Sequence, residues 1–155
     1  MDAVDRSDVD VLKRTIEVMY EYQPQLMMVH FKGPDYHGHH NNWQGYLESI
    51  VETDSLLFEL INTCGEMEFY KDRTSIIMTN DHGRHLDGIA GGFSSHGDHC
   101  LGCTHINFMA YGPDFKKDFV SDRQAQSIDL LPTIGELMGF RVPWTSGRVL
   151  DEIFK

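Results

Sequence analysis

Two short apolar runs, QLMMVHF at 25–31 and TSIIMTN at 74–80, flank one long helical pattern and leave little freedom in how the chain can fold. Apolar runs of this length, bounded by Gly or Asp, suit buried strands. Between them Trp43, Tyr46, Leu47, Ile50, Val51, Leu57, Phe58 and Ile61 keep the helical period from a cap at Asn41 or Asn42 to about Cys64, with Gly65 as the expected stop. Upstream, Ser7 or Asp8 could cap a helix to about Tyr22, with Val9, Leu12, Ile16 and Met19 on one face and Pro24 beyond its end. Downstream, Ile106–Tyr111 reads as a third strand. A last helix over about Ile128–Met138 could be capped by Ser127, and Gly139 ends it. Strands alternating with helices predict a single α/β domain over residues 1–155, with a mainly parallel sheet flanked by helices.

All nine histidines fall between His30 and His105, which puts the chemistry in the middle of the chain. Gly33-Pro34 is read as ending the first strand and opening a loop that carries Asp35-Tyr36-His37-Gly38-His39. The second strand runs out into Asp81-His82-Gly83. Ligands in open α/β sheets sit beyond the carboxyl ends of the strands, so both strands deliver an acid and a histidine to one expected site. A right-handed crossover through the long helix would bring the two loops to the same edge. His96 lies in Ser95-His96-Gly97, within a stretch holding six glycines from Gly83 to Gly102. Glycine lets backbone pass close to a metal or ligand.

Asp35, His39 and His96 form a two-histidine, one-carboxylate set with open positions, catalytic rather than structural in type. Asp81 and His82 would begin a second site. Oxygen plus imidazole favours zinc. Manganese or iron are alternatives, and magnesium or calcium would prefer more oxygen. Two adjacent metals can hold a phosphoryl or sulfuryl group and stabilise both attacking and leaving oxygens.

The net charge of −11 weighs against binding to a nucleic-acid backbone, while bound metals would still allow an anionic substrate. No apolar run is long enough to span a bilayer, and Met1–Arg6 has neither the basic start nor the apolar stretch of a signal peptide. Three cysteines do not make a disulfide framework. The spacing of His99, Cys100, Cys103 and His105 could be a small zinc knot or a redox pair, with simple thiol packing as the plain alternative. Asp54, on the apolar side of the long helix, would either orient a metal-bound histidine or reach solvent. Lys32 and Arg84 adjoin the ligand loops, where they could contact an anionic group or serve only the surface.

Asp35-Tyr36-His37-Gly38-His39, the run TSIIMTNDHG at 74–83, and Ser95-His96-Gly97 together resemble the alkaline phosphatase superfamily, especially its sulfatase and nucleotide pyrophosphatase/phosphodiesterase branches. The tail Ile128-Asp129-Leu130-Leu131-Pro132-Thr133-Ile134, followed by Gly139, Pro143 and Gly147, is similar to sulfatase-like C-terminal ends. The resemblance covers about residues 24–150. It implies an alkaline phosphatase-like fold, a metal-dependent hydrolase of phosphate or sulfate esters, and two divalent metals, zinc first among them. Asp35, His39 and His96 would share one metal, and Asp81 and His82 would bind the other. Members of the superfamily are often exported.

Such enzymes take a further metal-binding aspartate and the nucleophile from an N-terminal segment, which has no counterpart in residues 1–23. The catalytic nucleophile is therefore unknown, and the expected partner is that N-terminal segment of the same enzyme. A non-catalytic metal-binding or partner-binding domain, or a phosphomutase-like member of the superfamily, are the rival readings.

Overall fold

The structure is a computed structural model that describes residues 7–155; Met1–Arg6, on which the expectation about a signal peptide rests, lie outside the described residues. The chain forms two compact units. One joins the described residues up to Lys71 to Arg84–Cys103, and the other joins Asp72–Gly83 to Thr104–Lys155.

In the first unit, α1 (Asp8–Tyr22) is capped by Ser7, whose hydroxyl accepts from the Asp10 amide while the Asp10 side chain accepts from the Ser7 amide. Its buried stripe is Asp8, Leu12, Thr15 and Met19, the spacing of a single helix face. Asn42 caps α3 (Trp43–Glu66) by accepting from the Gly45 amide. Gly65 does not stop this helix, which runs on until Met67 donates its amide to Thr63. Met19, Cys64, Met67 and Tyr70 form a buried core, with Met27 and Leu60 packed against it.

The expected strand at 25–31 is not one. Leu26 and Met28 are exposed, and the segment pairs with no other strand among the described residues. Apolar content alone does not make a strand when no neighbouring edge accepts its backbone groups. The expected loop after Gly33 is instead a short helix, α2 (Gly33–His39), with Pro34 in its first turn. Proline is tolerated there because the amide it lacks would be unpaired anyway.

In the second unit, β1 (Ile76–Thr79) pairs with β2 (Phe108–Tyr111). The pairing is antiparallel, which corrects the expected parallel sheet: the crossover rule applies only when successive strands join one sheet, and the first of the expected strands did not form. A turn at Ser127–Asp129 leads into α5 (Leu130–Met138), which ends at Gly139 in the left-handed conformation. Buried Asp129 accepts from the amides of Gln126 and Arg148, and Thr133 accepts from Leu150, so the tail is tied to this helix by hydrogen bonds. No described helix is long and apolar enough to cross a membrane.

Candidate metal centres

The helical course of α2 gives the spacing Asp-x-x-x-His its meaning. Residues four apart share a helix face, so Asp35 and His39 point the same way. The Gly-rich segment brings His96 to them. His96 Nε2 lies 3.0 Å from His39 Nε2, while Asp35 Oδ1 is 3.5 Å from His39 Nε2 and 3.8 Å from His96 Nε2. All three ligand atoms lie within 4.8 Å of one another. A tetrahedral zinc site with bonds of about 2.0 Å has ligand edges of about 3.3 Å, so the donor set fits one ion after small side-chain shifts. Asp35 and His39 are each about half exposed, which leaves the outer side of this set open.

Three anchors hold the set in place. Asp8, buried on α1, accepts from the amides of Lys32 at 2.9 Å and Gly33 at 2.8 Å, capping α2 from a different helix. Arg84 is the second anchor. Its guanidinium is buried, pairs with the Asp35 carboxylate, and donates to the carbonyls of Asp35 and Phe93. Gly38 makes room for it, since a Cβ there would stand 2.3 Å from the guanidinium carbon. The third is aromatic. Phe93 packs edge-on against Trp43, fastening the loop to the start of α3. Of the two basic residues beside the ligand loops, Arg84 thus braces the site from within.

Asp81 and His82 belong to the second unit. They form an acid–histidine pair, with His82 Nε2 3.6 Å from Asp81 Oδ2 and the Asp81 side chain well exposed. Asn80 fixes their turn by donating to the His82 carbonyl and accepting from the Asn107 amide. Asp54 is exposed and takes the solvent option.

A second convergence was not legible in the sequence. His85, Asp98, Cys100 and Cys103 bring their ligand atoms within 4.8 Å of one another. Cys100 and Cys103, which the sequence offers either to His99 and His105 or to simple thiol packing, meet His85, each sulfur 3.3 Å from its Nδ1. Hydrogen bonding from Cys100 holds the Asp98 carboxyl below its usual range, and Asp98 in turn pushes the Cys100 thiol up. The available signal was Gly102 inside Cys-x-x-Cys, which lets that turn lie directly on the backbone before His85.

A family model described as Sulfatase matches residues 4–140. Among curated proteins, the chain is similar to the 2,3-bisphosphoglycerate-independent phosphoglycerate mutases of Brugia malayi and Onchocerca volvulus, at 24% identity over 88% of this chain and 25% of theirs. The protein of the same name from Haloquadratum walsbyi is 26% identical over 88% of this chain and 26% of its own. The chain thus spans about a quarter of the length of the curated relatives it matches. No solved structure matches it. The family match extends over Asp35 and His39 on α2, the Asp81-His82 turn and the Gly-rich segment alike, and the chain belongs to the Sulfatase family of the alkaline phosphatase superfamily.

Proposed function

We propose that this chain supplies the metal-holding part of a phosphoryl- or sulfuryl-transfer enzyme that hydrolyses phosphate or sulfate esters. The convergence of Asp35, His39 and His96, braced by Arg84, carries the reading. Bound there, a divalent ion such as zinc or manganese would supply Lewis-acid stabilisation of charge on the transferred group. The protein's own part is to hold the three donors on a rigid frame and keep one side open for an anionic ester. Asp81 and His82 are proposed to contribute to a second metal.

The nucleophile and remaining ligands are proposed to come from a further segment of the same enzyme. Support lies on α3, where Leu47, Ile50, Val51 and Phe58 form an exposed apolar stripe. A net charge of −11 favours a small anionic substrate held through metal over a nucleic-acid backbone, and the apolar stripe is assigned to protein and not to membrane.

A phosphomutase is the second reading, favoured by the three similar proteins that carry the name phosphoglycerate mutase. The test is turnover of aryl phosphate, phosphodiester, aryl sulfate and phosphoglycerate with zinc or manganese present. The 155-residue chain alone is expected to bind at most one metal tightly at the proposed active site and to turn over none of these. A longer chain carrying the upstream segment is expected to hydrolyse one ester class and to lose that activity in Asp35→Ala. Phosphoglycerate isomerisation without net hydrolysis would establish the mutase reading instead. Robust turnover by the short chain, abolished by Asp81→Ala, would contradict the division of the site.

A further inference from the structure

We propose that His85, Asp98, Cys100 and Cys103 form a second, structural zinc site that clamps the two ends of the Gly-rich segment. The ligand chemistry points to zinc: two thiols and an imidazole select a borderline-soft ion over magnesium or calcium. The geometry agrees. His85 Nδ1 lies 3.3 Å from each sulfur and 3.5 Å from Asp98 Oδ1. In a tetrahedron with Zn–S of about 2.3 Å and Zn–N of about 2.0 Å, sulfur–nitrogen edges are about 3.5 Å. Four ligands close the coordination sphere, which marks a structural site and not a catalytic one. His85 and Cys103 are buried, so the ion would be largely shielded by protein.

The backbone around this cluster is built for close approach. A Cβ on Gly102 would stand 2.2 Å from the Arg84 carbonyl oxygen, so the Cys100–Cys103 turn can rest against residues 84–86 only with glycine there. The Cys103 amide donates to the Cys100 sulfur, and the Cys100 amide donates to Asp98. The cysteines are not joined to each other. His85 follows Arg84, and Asp98 lies two residues beyond His96. The zinc would thus fix both residues that the segment contributes at the Asp35 site, whether or not that site is catalytic.

The experiment is zinc titration of the reduced 155-residue chain, with zinc-edge X-ray absorption and metal analysis. The wild type is expected to show zinc–sulfur scattering at about 2.3 Å, with two sulfurs for each zinc held at this cluster. Cys100→Ser/Cys103→Ser should lose that sulfur shell, and Asp35→Ala/His39→Ala should keep it. His85→Ala should weaken binding of the sulfur-ligated zinc at least about tenfold, since even loss of groups that merely support a metal ligand costs about 10–100-fold. Should the cysteine variant fail to fold, the wild-type spectrum decides alone. Zinc bound with no sulfur neighbour, no zinc taken up by the reduced protein, or a Cys100–Cys103 disulfide that survives in zinc-treated protein would each overturn the proposal.

Discussion

Asp8→Ala is expected to destabilise the first unit by about 2–4 kcal/mol and to loosen the Asp35, His39 and His96 set. The Asp8 carboxylate accepts two hydrogen bonds, from Lys32 and Gly33, and is itself buried. Hydrogen bonds to a charged group contribute about 1.5–3 kcal/mol each, and a buried orphaned amide costs about 1–3 kcal/mol. Lys32 and Gly33 are only partly buried, so water replaces part of what is lost, which places the sum below the simple total. Asp8→Asn keeps one good acceptor and should lose about half as much.

Glu17→Ala breaks an exposed ion pair with Arg14 and should leave the unfolding curve essentially unchanged. Urea unfolding followed by Trp43 fluorescence reports on this unit, in a Trp144→Phe background that removes the exposed second tryptophan. Because Asp8 sets the start of α2, Asp8→Ala should also weaken zinc binding at the Asp35 set by about tenfold, within the range seen when supporting groups are removed. An Asp8→Ala protein within about 0.5 kcal/mol of wild type, binding zinc as before, would refute the idea that α1 positions the ligands.

Gly38→Ala should displace the Arg84 guanidinium, costing about 1–3 kcal/mol as an overpacking change and lowering zinc affinity at the Asp35 set; unaltered unfolding and zinc titration would count against Arg84 as a brace. Arg148, helped by Arg123, holds the Glu152 carboxyl at about 2 against an ordinary value of 4.5. A depressed carboxyl stabilises the fold fully above its unfolded value and loses that contribution as pH falls toward 2. Glu152→Gln should therefore be less stable at neutral pH, with a shallower loss between about pH 4.5 and 2. Unfolding curves with the same pH dependence in both proteins would contradict this assignment.

The helices α1 and α3 were legible because period and cap agree: Ser7 and Asn42 each stand before an apolar stripe and accept an amide. Gly33-Pro34 misled because its two residues punctuate loops and also open helices, and only the helical reading puts Asp35 and His39 on one face. The run at 25–31 looks like a strand in isolation, but strand formation is decided by a partner edge that local sequence does not show.

Asp35, His39 and His96 could be grouped because acid, imidazole and glycine have chemical preferences that survive without coordinates. Arg84 was noticed without its role, which depends on the space left by Gly38. The spacing around Cys100 and Cys103 suggests only their neighbours His99 and His105 or simple thiol packing, whereas the structure sets both sulfurs beside His85, a residue brought close by the contact at Gly102.

Asp35, His39 and His96 are proposed to bind one metal ion together. A crystal structure of the zinc-loaded chain, with the ion located by anomalous scattering, tests it most directly. Zinc is expected about 2.0–2.2 Å from an Asp35 carboxylate oxygen and from the Nε2 atoms of His39 and His96. No zinc at these three residues, with the His96 ring turned to solvent away from Asp35 and His39, would contradict it.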